Sequence, residues 1–304
     1  VKGIRHEEIM SIYGSQEGMA HIAMAICDPG DVVLVPNPGY PVFTAGPFLC
    51  GAKVETYDLH PENNFLIEFD KIPEEQAKRA KMMIVSYPLN PVCVTAPDSF
   101  YEELITFAKK YNIIILHDNA YSDIIYGGKV GKSFLAFEGA KEVGVEFYSL
   151  SKSYNYTGAR MSFVVGNQSI IDRFKCVRSQ IDYGIFLPVQ YGAVAALTGP
   201  QDAVKAQCEE YDRRNHALSE GLTSIGWRVP LSQGTMFSWA PIPNGFTNSN
   251  DFVMELMEKT GLIVTPGSSF GSLGEGFVRF ALVLDVPTIQ EAVKSVRESG
   301  ILNR

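Results

Sequence analysis

A lysine lies directly after an apolar run in the segment Ser149-Leu150-Ser151-Lys152, and Arg160 follows eight residues later. A lysine that is removed from water loses proton affinity and becomes an amine nucleophile toward a carbonyl carbon. Serine hydroxyls and a guanidinium are donors that suit a phosphate. The simpler interpretation is a solvated lysine in a strand–helix loop, with Ser149 or Ser151 capping the helix. This segment alone leaves both interpretations open, because short motifs match by chance.

Three further segments place polar or aromatic side chains at turns or strand ends. Asp118 ends an apolar run and Tyr121 follows three residues later, and a carboxylate at a strand end can hold a ring nitrogen protonated. Asn90 follows another apolar run, and Tyr40 lies in a Pro-Gly-Tyr-Pro turn. Taken singly, these residues are better explained by a helix cap, a turn and packing. The case for chemistry therefore depends on their occurring together.

The elements that would position these residues alternate over the first two-thirds of the chain. Several apolar runs are almost continuous, as in strands covered on both faces, and residues 100–111 have helical apolar spacing. The predicted strands span residues 31–36, 53–59, 81–87, 113–118, 145–150 and 161–166. This alternation predicts an α/β fold with a mostly parallel sheet. Ligands of such sheets bind beyond the carboxyl ends of the strands, where Asp118 and Lys152 are placed.

The pattern changes near Gly199-Pro200. Periodicity there predicts a long charged helix, two further helices and two strands, which together make a smaller α+β domain. These helices span residues 201–225, 250–260 and 288–300, and the strands span 262–265 and 276–283. We therefore divide the chain into domains at residues 1–205 and 206–304.

Composition excludes several classes of protein. The 304 residues carry 26 Lys and Arg against 34 Asp and Glu, a formal net charge of −8, which disfavours a nucleic-acid-binding surface. No uncharged apolar run approaches the ~20 residues of a membrane span. Five separated cysteines without a C-x-x-C pair indicate neither a disulfide framework nor a zinc site, and they favour a reducing cytoplasm.

Together and in this order, these segments resemble the class I and II aminotransferases, which are fold-type-I pyridoxal-phosphate enzymes. The likeness covers essentially the whole chain, and the sequence of residues 14–21 and 37–43 is closest to the branch of LL-diaminopimelate and alanine aminotransferases. It implies a three-layer α/β/α large domain and a smaller C-terminal α+β domain. The matching segments are residues 14–18 (GSQEG), 37–41 (NPGYP), 90–91 (NP), 118–121 (DNAY), 149–152 (SLSK) with Arg160, 266–271 (PGSSFG) and 278–280 (VRF).

The resemblance also implies catalytic roles. Lys152 would hold pyridoxal 5′-phosphate as a Schiff base and then move a proton, while Asp118 would pair with the ring nitrogen. Tyr121 and Asn90 would bond the ring oxygen. Arg279 would bind the α-carboxylate of the substrate, and Asn90 would also contact the substrate.

The remaining implied roles concern cofactor binding. Tyr40 would stack on the ring. A helix N-terminus suits the phosphate, since its free N–H groups and dipole point at the anion. The phosphate would be held by Ser15 and Gln16 at such a helix start, together with Ser149, Ser151 and Arg160.

The sequence departs from the family in three places. The family's Asn-Pro segment usually continues Thr-Gly, whereas Val92 and Cys93 follow here, and loss of the glycine removes backbone freedom beside the cofactor. A bulky residue usually precedes the phosphate arginine; here it is Ala159, which we interpret as a packing change. Family members usually carry roughly 80–90 residues before the first motif, so we expect an N-terminal segment to be missing.

The leading hypothesis is transfer of an amino group from an L-amino acid to a 2-oxo acid in a homodimer with shared active sites. A pyridoxal-phosphate C–S β-lyase is an alternative, because it uses the same lysine but breaks another bond. Product analysis with an amino acid that carries a β leaving group would separate the two. A second alternative is a non-catalytic regulatory module, as in winged-helix transcription factors that carry an aminotransferase-like domain.

Overall fold

The computed structural model describes residues 1–303 and contains two β-sheets. The larger sheet has seven strands in the order β1-β7-β6-β5-β4-β2-β3. Neighbours from β3 to β6 are parallel, and β7 and β1 add antiparallel pairs at the opposite edge. In chain order, the strands are β1 Ile9–Ile12, β2 Val32–Asn37, β3 Lys53–Asp58, β4 Ala80–Ser86, β5 Ile114–Asp118, β6 Gly144–Ser149 and β7 Ser162–Gly166.

Helices cover both faces of this sheet. Helices α2 and α7 each pack against α1, and α4 contacts α5 in a separate group. Because both faces are covered, every residue of β2 is buried, which explains why its sequence is almost wholly apolar. The helices are α1 Ser15–Ile26, α2 Val42–Leu49, α3 Glu74–Arg79, α4 Asp98–Tyr111, α5 Ala140–Val143, α6 Leu150–Ser153, α7 Gln168–Arg178 and α8 Leu187–Thr198. The predicted three-layer arrangement is confirmed.

The second, smaller sheet is antiparallel, in the order β8-β10-β9. The long helix α9 packs against α11, and Trp227 fills the core with its ring edge on Phe252, 5.1 Å between centroids. The elements are α9 Asp202–Ser224, β8 Phe237–Pro241, α10 Ser249–Thr260, β9 Thr265–Pro266, β10 Phe277–Ala281 and α11 Val286–Glu298. This part matches the predicted smaller α+β unit.

The ends of the predicted large-sheet strands lie within one residue of those observed. The structure contains two strands that the sequence did not predict. Strand β1 is a four-residue edge strand that pairs with β7, and β8 is a five-residue edge strand that pairs with β10. The strand over residues 262–265 is wrong, since only Thr265 and Pro266 pair with β10. The domain division at residues 205 and 206 falls inside the continuous helix α9, and it stays a prediction.

None of the helices in residues 1–303 is both long and apolar enough to cross a lipid bilayer. Over the same range all five cysteines are free thiols. No group of three or more His, Cys, Asp or Glu side chains in that range is arranged to hold a metal ion.

Candidate active site

A cavity of about 250 Å³ lies beyond the carboxyl ends of β5 and β6 and reaches across to the second sheet. It is the place where a parallel sheet positions ligand-binding side chains. The structure brings all the predicted site residues to this one cavity, although they span most of the chain. Its lining includes Ser15, Gln16, Tyr40, Asn90, Asp118, Tyr121, Ser149, Ser151, Lys152, Arg160 and Arg279.

One end of the cavity is formed by the start of helix α1. Ser15 is the first residue of α1, and its Oγ is buried without a hydrogen-bond partner among residues 1–303. Arg160 lies beside it and donates to Tyr13 O and Thr157 O, both at 2.9 Å. Gly14 permits this approach: a Cβ there would lie 2.0 Å from Arg160 Nη2, and its φ is +98°. Free helix N–H groups and a guanidinium make this end suited to an anion.

Ser149 has the structural role that the simpler interpretation assigned to it. It caps the short helix α6, accepting a hydrogen bond from Ser151 N at 3.1 Å. Its Oγ also accepts from Ser162 Oγ at 2.8 Å. Both Ser149 and Ser151 are buried and still line the cavity, so capping the helix places these serines at the anion-binding end.

Lys152 projects from α6, whose position is fixed from two directions. Gln207 of α9 donates from Nε2 to Lys152 O at 2.6 Å. The neighbouring Ser153 donates to Asp123 Oδ2, also at 2.6 Å. Burial lowers the pKa of the Lys152 ammonium, and the charges of Arg160 and Arg279 lower it further. Near neutral pH, Lys152 is therefore a free amine in a larger fraction of molecules than an exposed lysine would be.

Asp118 ends β5 at the floor of the cavity. Its Oδ1 is buried and has no hydrogen-bond partner in the part of the chain that the structure describes. Burial raises the pKa of this carboxyl to about 6. His117, the preceding residue, is fully buried and pairs through Nδ1 with Glu146 at 2.9 Å, so it is a packed neighbour of the site. An unmatched buried carboxylate oxygen calls for a donor from a bound molecule.

Arg279 on β10 brings the second sheet to the site. Its Nη1 donates to Asn90 Oδ1 at 2.8 Å, and its Nε is buried without a partner in the described residues. The guanidinium carbon lies 4.0 Å from the ring centroid of Phe237 and 4.7 Å from that of Phe270. Burial lowers the pKa of Arg279, but the group stays cationic, so it is a desolvated, oriented site for a carboxylate.

Two tyrosines complete the wall. Tyr121 is 6% exposed, and its ring meets Phe237 edge-on at 6.1 Å between centroids. Burial raises the pKa of the Tyr121 phenol, which therefore remains a neutral hydrogen-bond donor. Tyr40 donates from its hydroxyl to Gln16 Oε1 at 3.1 Å, linking the turn after β2 to the start of α1.

Sequence reasoning missed two contributors. Phe237 lines the cavity and packs on Arg279, but a phenylalanine in an apolar strand gives no local sign of such a role. Gln207 supports Lys152 from 55 residues away, within a helix whose sequence predicts only exposure and charge. Neither could have been found from spacing, because each contact depends on how the second sheet packs against the first.

The unmatched polar atoms define what the cavity can bind. Within residues 1–303, Asp118 Oδ1 lacks a donor, whereas Ser15 Oγ and Arg279 Nε lack acceptors. A cationic ring nitrogen, a phosphate and a carboxylate would satisfy them, with Lys152 Nζ present as an amine nucleophile. The residues therefore fit pyridoxal phosphate together with an amino-acid substrate.

Comparison with known proteins also points to an enzyme that uses pyridoxal phosphate and an amino acid. Residues 2–296 match the family described as aminotransferase class I and II. The LL-diaminopimelate aminotransferase of Halothermothrix orenii is 45% identical over 295 residues, which cover 97% of this chain and 76% of that protein. The chain thus spans about three quarters of the length of that relative.

Solved structures agree in fold. Substrate-bound BacF from Bacillus subtilis superposes with a TM-score of 0.94 at 35% identity, covering 97% of this chain and 75% of that one. A probable N-succinyldiaminopimelate aminotransferase from Thermus thermophilus superposes with a TM-score of 0.91 at 33% identity, covering 96% and 78%. Because the family model matches residues 2–296, almost the whole of this chain, the chain belongs to the class I and II aminotransferases, a family of pyridoxal-phosphate-dependent enzymes.

Proposed function

We propose that this protein binds pyridoxal 5′-phosphate in the cavity around Lys152 and uses it to transfer the amino group of an L-amino acid to a 2-oxo acid. The observation that carries the proposal is the set of unmatched atoms around Lys152: an acceptor at Asp118 and donors at Ser15 and Arg279. When bound, the cofactor supplies an aldehyde that exchanges amines and a ring that withdraws electrons from substrate Cα.

Residues of the large sheet and of its helices and loops would hold the cofactor. The start of α1 and Arg160 would hold the phosphate, with the hydroxyls of Ser15, Ser149 and Ser151 as further donors, and Gln16 beside them. Asp118, ionised above about pH 6, would keep the ring nitrogen protonated. Asn90 and Tyr121 would donate to the ring oxygen, and Tyr40 would stack on the ring.

Lys152 is the group that moves protons. Because burial and two guanidinium groups lower the pKa of its ammonium, the neutral amine is accessible at neutral pH. As a free amine, Nζ would act as the base that takes the proton from substrate Cα. Its backbone is fixed through Gln207, so only the side chain needs to move.

Arg279 orients the substrate. Its bond to Asn90 and its two flanking rings hold the guanidinium plane, leaving Nε to face an acceptor. A bidentate pair with the α-carboxylate fixes the direction of the Cα–H bond relative to Lys152. The low exposure of the surrounding rings excludes water and strengthens this pair.

We further infer that the amino donor is LL-diaminopimelate. This proposal rests on relatives of that printed activity, such as those of Halothermothrix orenii at 45% and Desulforudis audaxviator at 42% identity. In such a substrate the amino acid head would meet Arg279 and Lys152, as above. The far amino and carboxylate groups would occupy the remainder of the cavity.

We also propose that the protein works as a homodimer. Helix α8 and the residue before it leave apolar side chains in water: Phe186 is 71% exposed, Tyr191 67% and Val194 56%. A contiguous apolar face of this kind is typical of a protein interface. Sedimentation of the wild type as a dimer, and of Val194→Glu as a monomer, would support this; a monomeric wild type would refute it.

The first test is an absorbance spectrum of the protein with pyridoxal phosphate, before and after LL-diaminopimelate, L-glutamate or L-alanine is added. We expect a visible band that bleaches with a donor, and that is absent from Lys152→Ala but present in Lys259→Ala, an exposed lysine on α10. Appearance of the matching 2-oxo acid and of an amino acid from 2-oxoglutarate would establish transamination. In a parallel assay with a cysteine S-conjugate, release of the thiol would instead indicate a lyase. The absence of any band would refute the site.

A further inference from the structure

Residues 233–235, which lie between α9 and β8, are here called the docking segment. They contact two loops of the large sheet. The first loop follows β4 and carries Asn90. Gln233 N donates to Cys93 O at 3.0 Å, and Gln233 Oε1 accepts from both Thr95 N at 2.9 Å and Thr95 Oγ1 at 2.8 Å. The docking segment is thus hydrogen-bonded to the loop that holds Asn90.

The second loop follows Tyr121. Thr235 N donates to Ile124 O at 2.8 Å, and Tyr126 N donates to Gln233 O at 3.0 Å. Tyr126 also donates from its hydroxyl to Thr235 O. Ile125 and Gly234 form an isolated antiparallel bridge between these bonds. One short segment therefore holds the loops of both Asn90 and Tyr121, the two residues assigned to the cofactor's ring oxygen.

The backbone at this contact is unusual. Thr235 has φ +71° and Cys93 has φ +62°, and both residues are buried. A left-handed conformation is rare for a β-branched residue, and it persists only where the surroundings impose it. Their side chains meet, with Thr235 Oγ1 donating to Cys93 Sγ at 3.3 Å. Cys93 thus retains the left-handed backbone at the position where the family usually has glycine.

The same contact extends to the substrate-binding side. The turn around Asn90 is closed by Cys93 N donating to Leu89 O at 2.6 Å. Thr235 Oγ1 accepts from Phe237 N at 3.1 Å, and the ring of Phe237 lies over Arg279 and against Tyr121. A shift at Thr235 would therefore displace Asn90, Tyr121 and Arg279 together.

We propose that Thr235 and Cys93 are positioning residues, which set Asn90 and Tyr121 against the cofactor's ring oxygen through the docking segment. The inference rests on the proposed function, since it assigns those two donors to that oxygen. A purely structural role would make the pair matter for stability alone. A positioning role makes it matter for the ionisation of the cofactor-bound lysine, because donors to the ring oxygen favour its anionic form.

Two variants separate these roles. Thr235→Val keeps the volume and branching but removes the hydroxyl. Cys93→Gly removes Sγ and also relieves the left-handed strain, so it should fold without loss of thermal stability. In cofactor-loaded protein, we expect the midpoint of the visible absorbance titration to rise by about 0.5–1 pH unit in Thr235→Val, and by less in Cys93→Gly. The matched control is Ser219→Ala, which removes a buried hydroxyl bond to Val229 O remote from the cavity.

A second readout needs no cofactor. In the cofactor-free protein, Thr235→Val should speed hydrogen exchange of peptides covering residues 89–95 and 124–126 and leave helix α4 unchanged, while Ser219→Ala changes neither loop. Midpoints equal to wild type in both variants, whatever their melting temperatures, would overturn the proposal, and so would unchanged exchange in the two loops. If the wild type shows no lysine-dependent band, the proposed function fails, and the exchange experiment alone decides whether the segment positions the loops.

Discussion

The two ends of the candidate active site are built differently. The anion-binding end, around Ser15 and Arg160, comes entirely from the large sheet and its helices, and Arg160 is exposed. The carboxylate end joins Asn90 of the large sheet to Arg279 of the small sheet, between the rings of Phe237 and Phe270. The first end has an exposed guanidinium and is built from the large sheet alone, whereas the second has a largely buried guanidinium and depends on the packing of two sheets.

Because the two ends differ in exposure, substitutions at each end should affect different properties. At the exposed end, charge interactions are screened by solvent, and backbone N–H groups share the task with the guanidinium. At the buried end a single oriented cation acts in a low dielectric, so its geometry matters more than its charge alone. We therefore expect changes at the anion-binding end to alter cofactor affinity moderately, and changes at the carboxylate end to alter turnover strongly.

The largest effect should come from Arg279→Lys. It keeps a positive charge but loses the planar pair of donors and the stacking between Phe237 and Phe270. We expect kcat/KM to fall about 10²- to 10³-fold at saturating cofactor, with cofactor affinity unchanged within about threefold. Steady-state kinetics and a cofactor-binding titration measure the two quantities. A loss of cofactor affinity equal to the loss of kcat/KM would remove the distinction between the two ends.

Asp118, between the two ends, should make the stability of the cofactor-free protein depend on pH. Because burial raises the pKa of its carboxyl to about 6, the folded state keeps a proton that the unfolded state has released. Stability should therefore fall as the pH rises from about 4 to 6, by about 2–3 kcal/mol, and level off above. Urea unfolding of wild type and Asp118→Asn over this range tests the prediction, since other titrations cancel in the difference. A difference independent of pH would contradict it.

Arg160→Ala should act on cofactor binding. Removal of one exposed donor should raise the dissociation constant for pyridoxal phosphate about 10- to 50-fold, because α1 and the serines continue to hold the phosphate. At saturating cofactor, kcat/KM should stay within about fivefold of wild type. Equilibrium titration at two salt concentrations checks the electrostatic origin. A large loss of turnover at saturation would show that this end also controls the chemistry.

The smallest effect concerns the coupling between Gly14 and Arg160. An added Cβ at Gly14 would collide with the guanidinium, and its φ of +98° disfavours alanine. Gly14→Ala alone should weaken cofactor binding about as much as Arg160→Ala. In the double variant the two losses should add only in part, with a coupling of about 1 kcal/mol. Additive losses would mean that the glycine supports the site by a route other than Arg160.

The sequence predicted more of the anion-binding end than of the carboxylate end. Ser149, Ser151 and Lys152 lie within four consecutive residues, so the segment stood out, although the resemblance of all the motifs together was needed to assign it a role. The large-sheet strands were found because burial on both faces forces long apolar runs. Strand β1 was missed because an edge strand of four residues has no such run.

The carboxylate end contained contacts that no local pattern records. Arg279 was identified by resemblance, but its bond to Asn90 joins residues 189 positions apart. The left-handed backbone at Thr235 was equally invisible, because threonine normally avoids it and only the docked loops impose it. The loss of glycine at Cys93 was visible as a departure, yet the residue that contacts its side chain, Thr235, lies 142 positions away in the segment before β8.

The bond from Gln207 to Lys152 O has a mechanical consequence. Helix α9 is a continuous rod of 23 residues, attached to the large sheet near its beginning, where Gln207 meets Lys152 and Cys208 Sγ meets Ile125 O at 3.3 Å. Its far end holds the second sheet, where Ser219 and Asn215 bond the chain after the helix. The second sheet is bonded to the large sheet again, through Thr235 N to Ile124 O and through Arg279 to Asn90. The rod is therefore held near both ends, which fixes the separation between Lys152 and Arg279.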